Sequence, residues 1–171
     1  YCKMAQQHPG IEIPIYGVPV NTREALGVLH LKGSIIDNTV AYTGASVNDV
    51  YLHQHDKYRY DRYQLITNPA LADSMAGYAK QSVLTSEAVH RLNCKDRPKS
   101  PELKKENKKF RQGLRTKGYE FQGNVGNDQL AVTPLVGLGR HSPLNKTINW
   151  LMNATEEKLT ICTPYFNLPA Q

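Results

Sequence analysis

Apolar positions along this chain recur with two periods, every second residue in some stretches and every third or fourth in others. These are the marks of strands and of helices. Ile11, Ile13 and Ile15 alternate with polar or small neighbours, which predicts a strand over 11–16, with Pro14 marking an edge. Residues 28–36 and 40–46 read as the arms of a hairpin turning at Asp37-Asn38. The tyrosine-rich run from Tyr58 to Ile66 is a third strand candidate. Asn68-Pro69 then opens a helix whose apolar positions are Leu71, Met75, Tyr78 and Ala79. Ser100-Pro101 opens a second helix, over about 101–118, with Leu103, Phe110, Leu114 and Phe121 at helical spacing. The polar, glycine-bearing stretch 122–128 predicts a linker. Beyond it come a strand (Leu130 to Leu135), a helix opened by Ser142-Pro143 with Leu144, Ile148 and Leu151, and a strand (Lys158 to Thr163). The expected organisation is an α/β chain in three parts. Residues 1–122 form the later part of one domain, 123–128 the linker, and 129–171 the opening β-α-β of a second.

Composition narrows the class. Of the 171 residues, 40% are apolar and 21% charged, the mix of a soluble globular chain, which excludes collagen-like, coiled-coil and fully disordered readings. Uncharged stretches such as 38–48 and 129–139 fall well short of the roughly 20 residues a membrane-spanning helix needs. The first ten residues hold no apolar run, so no signal peptide is read. Cys2, Cys94 and Cys162 are odd in number and lack the paired spacing of a zinc site, which predicts a reducing, cytoplasmic setting. Because the chain opens on Tyr1 and stops at Gln171 after a strand-like run, it reads as a piece of a longer protein.

Charge is concentrated in one place. Between Lys95 and Lys117, ten Lys or Arg face three acids, a net +7 within a chain whose total is +6. Once Leu103, Phe110 and Leu114 turn inward, Lys104, Lys105, Lys108, Lys109, Arg111 and Arg115 are left for the outer face. Such a face can be merely solvated. It can also be drawn to acidic lipid, at about 1 kcal/mol per basic residue, or to nucleic-acid phosphates. Composition alone does not choose.

The residues with most chemical content are His30, Lys32 and Asp37. On a strand, side chains alternate faces, so Leu29, Leu31 and Ile35 share the core side while His30, Lys32 and Ser34 share the other. An imidazole is nucleophilic near neutral pH, since its unperturbed pKa is about 6.5. A neighbouring ammonium can neutralise phosphate oxygens without a metal. An isolated H-x-K arises often by chance, however.

Here the spacing extends to His30-x-Lys32-x4-Asp37-x6-Gly44, which resembles the signature of the phospholipase D superfamily. Residues 16–27, 48–63 and 159–169 further resemble the bacterial CDP-diacylglycerol–serine O-phosphatidyltransferases, and the similarity runs from end to end. That resemblance implies a phospholipase-D-like mixed sheet flanked by helices, present as a fragment. It implies transfer of a phosphatidyl group from CDP-diacylglycerol to L-serine through a phosphohistidine, with CMP as leaving group. Two H-K-D motifs face each other in such enzymes, one His as nucleophile and the other as general acid and base. By motif position His30, Lys32 and Asp37 are the catalytic residues, with His30 the expected nucleophile.

Two features depart from the superfamily pattern. The usual ending G-S-x-N is here Gly44-Ala45-Ser46-Val47-Asn48, with the Asn one place late. With a two-residue turn, strict alternation puts Ala45 and Val47 on the His30 face. Ser46 and Asn48, assigned as phosphate contacts, reach the site only through a bulge at Gly44 or a longer turn. The full H-x-K-x4-D also occurs once, so the second motif is expected outside these 171 residues, and the piece is expected to be inactive alone.

No cofactor, metal or nucleic-acid partner is expected, and the oligomeric state is left open. The expected location is cytoplasmic, peripheral at the inner face of the membrane. His53-Gln54-His55-Asp56 lacks an obvious third metal ligand. The Tyr58–Tyr63 run reads first as a strand with satisfied hydroxyls. Gly137-Leu138-Gly139 before Asn145-Lys146-Thr147 has the wrong spacing for a P-loop. The alternatives are a cardiolipin synthase or another phosphodiesterase built on the same motif, and a non-catalytic basic module that docks on membranes.

Overall fold

A computed structural model describes residues 2–19, 32–94, 100–120, 125–137 and 141–161. A short helix α1 (Cys2–Gln7) and strand β1 (Tyr16–Gly17) lead into β2 (Ser34–Ile36), β3 (Thr39–Thr43) and β4 (Tyr63–Thr67). Helix α2 (Pro69–Tyr78) runs on into a π-helical segment (Ala79–Leu84), followed by β5 (His90–Arg91), α3 (Ser100–Leu114) and α4 (Pro143–Asn153). The described strands form two antiparallel sheets, one of β1 with β5 and one ordered β2-β3-β4. The chain is thus a mix of sheets and helices, as the pattern predicts.

The hairpin turns where expected. Ile36 pairs with Thr39, Ile35 with Val40 and Ser34 with Ala41, which leaves Asp37-Asn38 as a two-residue turn. Asp37 takes φ 50, a left-handed conformation that Asp tolerates better than most residues. The register with β4 places Ile35, Val40 and Ile66 in one row on one face. Helix α2 packs against β2 and β3, and Val40 is almost wholly buried.

The strand expected over 11–16 shrinks to Tyr16–Gly17. Pro14 has no N–H to give a ladder. Side chains take over where the ladder stops: Asn93 Oδ1 accepts from Ile15 N (3.0 Å), and Asn93 Nδ2 donates to Ile13 O (2.7 Å). The third strand begins at Tyr63 rather than Tyr58, because Tyr58 and Tyr60 are taken up in a ring cluster with His53.

The three helix starts follow their signals. Asn68 Oδ1 accepts from Leu71 N at 3.0 Å, and Ser142 Oγ accepts from Asn145 N at 3.3 Å, each satisfying an N–H of a first turn. Helix α3 starts at Ser100 and ends at Leu114, four residues before the expected end at 118. Its buried positions, Phe110 and Leu114, join Tyr78, Val83, Ala88, Val89 and Val136 in the core, with Val18 and Tyr119 packed against it. Burial of each such Phe or Leu stabilises the fold by roughly 1.5–3 kcal/mol.

Beyond the expected linker the outcome differs from the prediction. Leu130 to Leu135 forms no strand, nor do residues 158–161, so among the described residues the β-α-β expected over 129–171 appears as its helix alone. Alternation in the sequence needs a partner strand to become a ladder, and none of the described strands lies beside 130–135. Val136 instead packs into the core shared with α2 and α3.

Candidate active site

Lys32 stands just before β2, and its neighbour Gly33 has φ +134. A side chain at residue 33 would be strained there, and its Cβ would meet the Ala41 carbonyl at 3.1 Å. This kink ends the regular alternation expected through 28–36. The Lys32 ammonium donates to the Gly44 carbonyl (2.6 Å) and to Ser46 Oγ (3.1 Å). One backbone carbonyl and one side-chain hydroxyl, twelve and fourteen residues along the chain, therefore fix one charged group.

Ser46 reaches Lys32 by neither of the routes expected. The turn holds two residues, and β3 simply ends at Thr43. The chain then folds over: Ala45 N donates to Thr43 Oγ1 (3.0 Å), Ala45 is buried, and Ser46 is presented to Lys32. Gly44 lies close against Asp61, whose carboxylate would be 3.2 Å from a Cβ at residue 44. Asn48 is not brought to Lys32. Its side-chain oxygen accepts from Tyr51 N (3.2 Å), and its carbonyl accepts from Tyr51 N and Leu52 N, so it holds its own turn. Asp37 sits at the far tip of the hairpin, exposed. His30 lies outside the described residues.

Lys32 is half-buried, and among the described residues it forms no ion pair. A cation held by neutral acceptors keeps its full charge for an incoming anion, and partial burial strengthens that attraction over its value in water. The site thus suits a phosphate better than a carbonyl or a metal.

The sequence points to Gly44 but not to the role of its carbonyl, nor to Asp61 beside it. The fixed x6 spacing to Gly44 was the signal for the first, and nothing local signalled the second. His55-Asp56-Lys57 is a second H-x-K, but Arg62 stands where the motif needs Asp. There His55 is exposed, lies 3.7 Å from Asp49 and belongs to none of the described strands. The His53 ring stacks at 4.8 Å from Tyr58 and 5.6 Å from Tyr60, and its Nε2 lies 3.3 Å from the Arg59 carbonyl. Tyr58 hydrogen-bonds Tyr60 and raises the Tyr60 hydroxyl pKa above its ordinary value. Among the described residues no group of three His, Cys, Asp or Glu could hold a metal ion.

The basic helix is placed as its pattern predicts. Lys105, Lys108, Lys109 and Arg115 are exposed and Arg111 is half-buried, opposite the inward Phe110 and Leu114. Lys109 pairs with Glu106 at 3.3 Å. The side chain of Lys104 lies outside the described residues. No described helix is long and apolar enough to cross a membrane.

Over 170 residues, 99% of its length, the chain is 63% identical to the CDP-diacylglycerol–serine O-phosphatidyltransferase PssA of Escherichia coli strain K12. It is 45% identical over 174 residues to the CDP-diacylglycerol–serine O-phosphatidyltransferase of Haemophilus influenzae. A crystal structure of phosphatidylserine synthase from Haemophilus influenzae Rd KW20 superposes with a TM-score of 0.86 at 44% identity, over 99% of this chain. Along nearly its whole length the chain is thus similar to bacterial phosphatidylserine synthases. It spans 38% of each of the two curated synthases and 39% of the crystallised one. No protein-family model matches it.

Proposed function

We propose that the protein containing this chain transfers a phosphatidyl group from CDP-diacylglycerol to L-serine. The observation that carries this reading is the 63% identity, along the whole chain, to a synthase of that name. The clasp of Lys32 by Gly44 and Ser46 supports it, because it holds in place a cation that has no ion-pair partner among the described residues.

In this reading an imidazole nitrogen of His30 attacks the phosphorus of CDP-diacylglycerol. The P–O bond to CMP breaks, and CMP takes the electron pair. The serine hydroxyl then attacks the phosphohistidine, gives up its proton to a base, and His30 is released. Lys32 neutralises non-bridging oxygens as charge builds in each transition state. Asp37 acts through the turn that it shapes, Ser46 by holding Lys32, and Asn48 by holding the loop behind Ser46. The general acid and base comes from a second motif outside these residues, so the piece alone is inactive. In the full-length protein, His30→Ala is expected to abolish serine-dependent CMP release. Substantial turnover by that variant would reject the assignment.

The same reading places the protein at the inner, cytoplasmic face of the membrane, since its substrate is a lipid. The basic face of α3 is the proposed contact with acidic lipid. At about 1 kcal/mol per basic residue, neutralising Lys105, Lys108 and Lys109 together is expected to weaken vesicle binding by roughly a hundredfold. Co-sedimentation with phosphatidylglycerol vesicles checks this; unchanged binding would remove α3 from the membrane contact.

A further inference from the structure

A cavity of about 220 Å³ opens beside Lys32, between the β2–β3 hairpin, α2, residues 135–137 and Leu144. Its wall is mainly hydrocarbon, from Ile35, Met75, Leu135, Val136 and Leu144, with tyrosine rings closing it. Among the described residues that line it, Lys32 alone is charged. Tyr78 and Tyr119 stand with ring centroids 4.9 Å apart, and burial pushes both hydroxyls above their ordinary pKa, so that wall stays neutral.

We infer that this cavity takes the lipid side of the substrate, the stretch of one acyl chain that lies beyond the reach of a butyryl group, while the attached phosphate meets Lys32. The inference rests on the phosphatidyl-transfer reading and adds to it a place for the hydrocarbon. A diphosphate whose one arm is apolar matches a cavity that Lys32 lines with a cation and whose described lining holds no carboxylate. A cytosine base matches it less well, because reading the base edge needs paired donors and acceptors, and the uncharged polar side chains of the described lining are single hydroxyls, those of Ser34, Tyr42, Tyr78 and Tyr119. The volume equals that of about seven water molecules at roughly 30 Å³ each, enough for part of a chain and not for two whole ones.

The test uses the full-length protein and two water-soluble substrates, CDP-dibutyrylglycerol and CDP-dioctanoylglycerol. Met75→Trp, which fills the cavity, is expected to lower kcat/KM for the octanoyl substrate about tenfold and to change that for the butyryl substrate by less than about twofold. Leu135→Ala, which removes wall contacts, is expected to shrink the octanoyl preference several-fold and carries the test alone if Met75→Trp fails to fold. Lys32→Ala tests the underlying reading separately, through turnover of either substrate. Full activity of Lys32→Ala overturns phosphatidyl transfer at this site. Loss of activity in Lys32→Ala, with a wild-type chain-length preference in the folded cavity variants, overturns the cavity assignment only.

Discussion

The two ends of the β2–β3 hairpin carry different kinds of motif residue. At the open end, Lys32 is gripped by Gly44 and Ser46 at 2.6 and 3.1 Å. At the closed end, Asp37 shapes a two-residue turn with φ 50 and is exposed to solvent. Five residues at about 3.3 Å each separate them, on the order of 15 Å of chain. Lys32 and Asp37 therefore cannot grip the same phosphate from where they stand. The H-x-K-x4-D spacing records two separate physical demands, a charge at one end and a reversal of the chain at the other. The reversal matters because it fixes which residue of β3 lies opposite which of β2, and hence where the chain leaves the ladder to present Ser46.

If that division is right, substitutions at the open end should act on chemistry. In the full-length protein, Lys32→Ala is expected to lower kcat/KM by about 10²–10³-fold, the cost of deleting a fixed group that stabilises transition-state charge. Ser46→Ala should cost less, about tenfold, because it removes one hydrogen bond to a cation that still has the Gly44 carbonyl. Both should leave the melting temperature close to that of the parent, since neither residue belongs to the core. Steady-state CMP release beside thermal unfolding checks the pair. A Ser46→Ala loss as large as that of Lys32→Ala would mean that Ser46 touches the phosphate itself.

Much of this was legible in the sequence, and the reasons differ by element. Asn68-Pro69 and Ser142-Pro143 announce their helices because a cap is a local event, one side-chain oxygen meeting an N–H three residues on. The hairpin was legible because a turn between apolar runs sets its own register. The motif spacing leads to Lys32 for a similar reason, since its partners among the described residues lie within fourteen residues. What escaped depends on distant chain. The approach of Asp61 to Gly44, the place of Val136 in the core, and the help that Asn93 gives to residues 13 and 15 are set by packing that no short window contains. The missing strand at 130–135 is the same lesson reversed: the alternation is present, and the partner is not beside it. Ser46 shows a middle case: the motif marks the residue, while the structure brings it to Lys32 by a route that alternation does not predict.

The closed end gives the smaller and more discriminating effect. A left-handed residue bearing a Cβ carries a conformational cost that Gly avoids, that Asn and Asp bear readily, and that a β-branched side chain bears worst. Asp37→Asn and Asp37→Gly are therefore expected to leave stability within about 0.5 kcal/mol of the parent, while Asp37→Val should lose about 1–3 kcal/mol. Turnover should follow the same order, because Asp37 acts on Lys32 and Ser46 only through the register that its turn imposes. Urea unfolding and CMP release, measured on the same full-length preparations, separate the two possibilities for Asp37. A purely geometric role lets Asp37→Asn keep most of its activity and makes Asp37→Val lose activity and stability together. If Asp37→Asn instead loses as much activity as Lys32→Ala while unfolding at the parent's urea concentration, the carboxylate itself takes part in the chemistry. The closed end of the hairpin would then have to reach the phosphate in the working enzyme, and the division between the two ends would fall.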